Sequence, residues 1–143
     1  MPPASLSYVL LLVMLISSSF VPHPSDCRQI RITPYTTRKG EVDPFNLTQL
    51  VKKHFQQQGF RLSSEHQDST DTNCTYYRCT LSHTENYWKF KRDTVCLTIT
   101  DSEGKRVGYY CGVSGVTAMT FRSGYTTATR EALASIKQTP FYR

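Results

Sequence analysis

The chain has 143 residues, with 17 Lys and Arg against 11 Asp and Glu, a formal net charge of +6 and five cysteines. No five like charges run together, which excludes a basic or acidic tail, and no segment past the first is long and apolar enough to span a bilayer, which takes about 20 residues. The positive balance favours anionic partners such as glycosaminoglycans, nucleic acid or acidic lipid surfaces.

Residues 1–25 carry no charged side chain and hold one run of nine apolar residues, Tyr8–Ile16, followed by Ser17, Ser18 and Ser19. The run is too short to cross a membrane and fits the apolar core of a secretory signal peptide, although the usual positive residue before it is missing. Residues 1–19 are expected to be removed, with cleavage as late as Ser25 the alternative. That leaves 20–143 as a single secreted, extracellular domain. Oxidising surroundings make Cys27, Cys74, Cys79, Cys96 and Cys111 bridge formers rather than ligands. The Cys74/Cys79 spacing has no echo elsewhere, so no metal and no cofactor is expected. Two bridges leave one thiol, either buried or available for a disulfide-linked dimer. Sequons at Asn46 and Asn73 mark glycan acceptors, the second open to blockage by early bridging of Cys74.

Ile30 and Ile32 alternate with polar neighbours, which predicts a strand over 28–33 that ends at Pro34. Thr36–Gly40 reads as a turn. Asp43-Pro44 reads as an N-cap with proline in the first helical position, opening a helix over 44–58. Leu47, Leu50, Val51 and Phe55 form its apolar stripe, and Gly59 stops it. Ser63–Asn73 has no apolar residue and is expected to be a mobile, protease-sensitive loop.

Tyr76, Tyr77, Thr80 and Leu81 suit a strand, and Ser82–Asn86 a turn. In Tyr87–Thr100 the apolar set switches from even to odd positions, which predicts a bulge or bend at Arg92-Asp93. Asp101–Lys105 is a tight turn followed by a strand over 107–113. If Glu103-Gly104 is a two-residue turn, Cys96 and Cys111 are equidistant from it and face each other, so they are expected to bridge, with Cys74–Cys96 the rival pairing. The second bridge then joins two of Cys27, Cys74 and Cys79. Val116–Phe121 reads as a further strand and Ser123-Gly124 as a turn. Thr126 or Thr127 would cap a last helix whose inner face holds Ala128, Ala132, Leu133 and Ile136. The fold class expected is α+β: an antiparallel meander of four to five strands with two amphipathic helices on one face, stapled by disulfides.

Two sets of residues carry candidate chemistry. Trp88, Lys89, Lys91 and Arg92 interleave aromatic and basic side chains, a pattern suited to binding a glycan or a nucleic acid. His83 with Glu85 and these cations would suit phosphodiester cleavage: a base, an acid and a stabiliser of charge. No nucleophile elbow, zinc-protease motif or phosphate loop occurs. Gly108-Tyr109-Tyr110-Cys111-Gly112-Val113 resembles a late strand of immunoglobulin variable domains, but no tryptophan follows Cys27 at the matching place and a capped helix fills the interval. The expected function is a secreted interaction protein that binds an extracellular protein or an anionic glycan. A small secreted ribonuclease and a glycosaminoglycan-binding module are the alternatives.

Overall fold

The computed structural model describes residues 27–64, 73–84, 92–115 and 121–142, with the backbone alone for Phe121 and Arg122. The expected leader, the body of the polar loop and the segment holding Glu85, Trp88, Lys89 and Lys91 lie outside the described residues.

Strand β1 (Cys27–Thr33) buries Ile30 and Ile32 on one face. Helix α1 (Leu47–Gln57) begins three residues later than expected. The N-cap moves to Asn46, but the Asp43 carboxylate still accepts the N–H groups of Leu47 at 2.8 Å and Thr48 at 3.0 Å. Asp43 and Asn46 both take positive φ, 45° and 55°. These left-handed residues, tolerated best by Asn, Asp and Gly, make 43–46 a turn and keep Pro44 out of the helix. Gly59 ends the helix as expected, with φ 82°. Its N–H donates to the Gln56 carbonyl and that of Phe60 to Phe55, while the Phe55 and Phe60 rings meet 5.3 Å apart. This is the paired bonding and apolar clasp of a Schellman end.

The remaining strands are β2 (Arg61–Leu62), β3 (Cys74–His83), β4 (Thr94–Asp101) and β5 (Arg106–Val113), and α2 (Phe121–Gln138) closes the order. They form a five-stranded sheet ordered β2-β1-β3-β4-β5. The α+β class holds, but the sheet is mixed: β1 runs parallel to both β2 and β3, and only β3-β4-β5 is an antiparallel meander. Helix α1 supplies the crossover that parallel β1 and β2 need.

Helix α2 corrects two further expectations. Phe121 lies in a helix rather than a strand, while 116–120 fall outside the described residues, and Ser123-Gly124 is helical rather than a turn. The reason is Tyr125, which is 3% exposed, stacks on Phe45 at 4.9 Å and donates its hydroxyl to the Thr84 carbonyl. Burying a tyrosine outweighs the ~1 kcal/mol that Gly124 costs inside a helix. The turn Ser82–Asn86 is also displaced, since β3 runs through His83 and Thr84 still donates to the Thr94 carbonyl. β4 starts just after Arg92-Asp93, where a bulge or bend is expected, but residues 85–91 before it lie outside the described residues; a register shift falls between Ile99 and Thr100.

Both helices pack on one face of the sheet, where Phe55 of α1 and Ile136 of α2 join Ile30, Cys79, Leu97 and Ile99 in one core. Disulfides join Cys27 to Cys74 and Cys96 to Cys111, each pair facing in register. The spare thiol is Cys79, fully buried, with its pKa pushed up to about 12 by burial. Iodoacetamide at neutral pH is therefore expected to leave Cys79 unlabelled in the native chain and to label it stoichiometrically in denaturant. Native labelling read by mass spectrometry would show that the core opens.

Candidate functional site

Alternation along each strand puts one residue set under the helices and the other in the open. The register then assembles the open face from separate stretches of sequence. Arg31 pairs with Arg78, Arg78 with Thr100, and Thr100 with Arg106. Three arginines thus lie on one row across four strands, a span of ~15 Å at the usual strand spacing. Arg61 on the edge strand pairs with Gln29, which in turn pairs with Tyr76. The next row joins Thr33, Thr80, Thr98 and Tyr109.

Arg61, Arg78 and Arg106 are exposed, Tyr109 is 57% exposed, and the Arg106 guanidinium sits 5.5 Å from the Tyr109 ring centre. No strand position of this face is acidic among the described residues. Arg31 and Arg78 stand directly opposite one another, a like-charge pairing that a sheet tolerates only at a cost. Both disulfides also close on this face, one at each end of its diagonal, on the side away from α1 and α2.

The row reaches β5 through a local irregularity. Asp101 receives the N–H of Gly104 on its carbonyl, and its carboxylate receives the N–H groups of Glu103 and Lys105. The turn is therefore one residue longer than two, with Gly104 at φ 80°. Val107 then stands unpaired between Arg106 and Gly108, which restores the register that places Cys96 opposite Cys111. This extra residue also turns Arg106 onto the same face as Tyr109.

Of the residues singled out from sequence, His83 and Arg92 are described and lie elsewhere. His83 is half-buried under α2, its ring 3.6 Å from Tyr35, 4.5 Å from Tyr125 and 6.0 Å from Phe45. Near that end, Asp93 is 5% exposed, and burial raises its pKa. Its backbone N–H donates to the Ser114 hydroxyl, and Ser114 returns its own N–H to the Asp93 carbonyl. Arg92 is exposed beside it. Glu85, Trp88, Lys89 and Lys91 fall in the segment outside the described residues. Asn46 and Asn73 are both exposed, and the Cys74 of the second sequon is bridged. Among the described residues no group of three His, Cys, Asp or Glu is placed to hold a metal ion.

No family model, curated protein or solved structure matches this chain. The chain is a small disulfide-stapled α+β domain, and its chemistry has to be read from its own surfaces. The arginine row escaped the sequence reading because Arg31, Arg78 and Arg106 come from three separate strands. Alternation placed Arg31 opposite its strand's apolar set, but the parallel β1–β3 pairing sets it beside Arg78, and the extra residue at Val107 brings Arg106 into line.

Proposed function

We propose that this protein is a secreted binding domain that captures an anionic extracellular partner, a sulfated glycan above all, on the helix-free face of its sheet. The observation that carries the reading is the row of Arg31, Arg78 and Arg106, joined by Arg61, Tyr76 and Tyr109, with no acidic strand position on that face. Guanidinium groups grip sulfate and phosphate oxygens two at a time, and tyrosine rings give sugars a flat surface to rest on. The expected secretion and the net charge of +6 support the same partner class.

The test is salt elution from immobilised heparin. The double variant Arg78→Ala/Arg106→Ala should elute at clearly lower salt, with affinity reduced roughly tenfold at low ionic strength. Its thermal melt should match that of the parent, because both side chains are exposed. Unchanged elution removes the sheet face as the binding site. A fluorogenic RNA assay addresses the ribonuclease reading on the same preparations. Turnover lost in His83→Ala with the fold intact would replace the binding reading with a catalytic one.

A further inference from the structure

A second feature lies between the two helices, away from the open sheet face. Leu50, Lys53 and His54 of α1 meet Arg130, Leu133 and Lys137 of α2 around a cavity of about 240 Å³. Its apolar wall comes from Leu50 and Leu133. Its charged side chains are all cationic, and all three are exposed. His54 is only 8% exposed, yet its Nε2 atom is buried with no hydrogen-bond partner. A buried polar atom left unpaired costs stability, and His54 is one of the residues around the cavity. The volume is below that of drug-sized sites, so a long lipid does not fit.

The geometry points to a binding site for a small amphiphilic anion, a carboxylate or sulfate head on a short alkyl chain, seated between α1 and α2. The chain lies along Leu50 and Leu133. The head accepts hydrogen bonds from the Lys53, Arg130 and Lys137 side chains, with the His54 ring beside it. Three cations around one cavity repel one another, and an anion relieves them. His54 reports on the site. In the free protein its pKa is held below the ordinary 6.5, first by burial and second by Lys137. The charged groups that line the cavity with it are Lys53 on its own helix and Arg130 and Lys137 on α2, all positive. A bound anion opposes them, so it raises the His54 pKa, and binding tightens as the pH falls through the imidazole range.

Octanoate is the probe, titrated into the intact chain by calorimetry and followed by the His54 imidazole signals in NMR. Saturable one-site binding is expected, at least tenfold tighter than acetate, which lacks the chain, and than octanol, which lacks the charge. Arg130→Ala/Lys137→Ala should weaken it at least fivefold, and Ala134→Phe, which fills the cavity without altering charge, should abolish it. Both variants alter exposed positions, so folding is retained, and their heparin elution separates this site from the sheet face. An upward shift of the His54 titration on adding octanoate completes the expected set. Absent saturation, equal binding of octanol, or an unmoved His54 titration overturns the proposal.

Discussion

Gly112→Ala is expected to cost about 3 kcal/mol, a fall in Tm on the order of 10–20 °C for a domain of this size. A Cβ on Gly112 would land on the carbonyl oxygen of Ala128, with the Ala132 nitrogen 2.6 Å and the Ala128 carbonyl carbon 2.9 Å away. These are backbone atoms of α2, so no rotamer change relieves the clash. The helix must lift off β5 or the strand must bend. Ala128 and Ala132 are fully buried, and they are small for the same reason: helix and strand touch along this line. Gly108→Ala is the control on the same strand. Its Cβ would meet the Tyr110 ring at 2.6 Å, a side chain that can yield, so its cost should be smaller. Equal melts for Gly112→Ala and the parent in calorimetry would mean that α2 does not lie on β5.

Loss of the bridges is the second large effect. The Cys27–Cys74 bridge closes 47 residues and Cys96–Cys111 closes 15. Loop-closure entropy assigns about 4 kcal/mol to the first and about 3 kcal/mol to the second. Together they match the entire stability of a typical domain, about 5–15 kcal/mol. Cys27→Ser/Cys74→Ser should therefore melt lower than Cys96→Ser/Cys111→Ser, and full reduction should unfold the chain at 37 °C. The reverse order of the two variants would show that the hairpin bridge, although local, relieves more than chain entropy. A reduced chain that keeps its native circular dichroism would show that the hydrophobic core suffices.

Local signals in the sequence were dependable wherever one side chain decides the outcome. Gly59 ended α1, and the alternation of Val95, Leu97 and Ile99 marked the inner face of β4, whereas the N-cap moved from Asp43 to Asn46, with the Asp43 carboxylate still accepting the first helical N–H groups. The facing of Cys96 and Cys111 was anticipated through a turn that is not there. A longer turn and the unpaired Val107 compensate each other and deliver the same register. Non-local features were opaque. A strand of two residues, Arg61–Leu62, has no periodicity to read, and neither it nor the parallel pairing of β1 with β3 that makes the sheet mixed left a local signal. Tyr125 looked like a residue after a turn because Gly124 precedes it, and only the Phe45 ring and the Thr84 carbonyl, distant in sequence, explain why the helix continues through. The arginine row had the same character, since each member is unremarkable alone and the pairing creates the site.

The buried Cys79 has a consequence for how the chain reaches its covalent structure. It sits on the same strand as Cys74, and before the core forms it competes for Cys27 on nearly equal terms. Exchange proceeds through the thiolate. Moving the Cys79 pKa from 9.0 to about 12 cuts its thiolate fraction by about a thousandfold, and burial removes its access as well. Collapse of the core therefore acts as a latch. Isomers that use Cys79 in a bridge leave the centre of the sheet without its side chain and keep reshuffling. The isomer that buries it loses the nucleophile that would undo it, so oxidative refolding should converge on one product even with an odd number of cysteines.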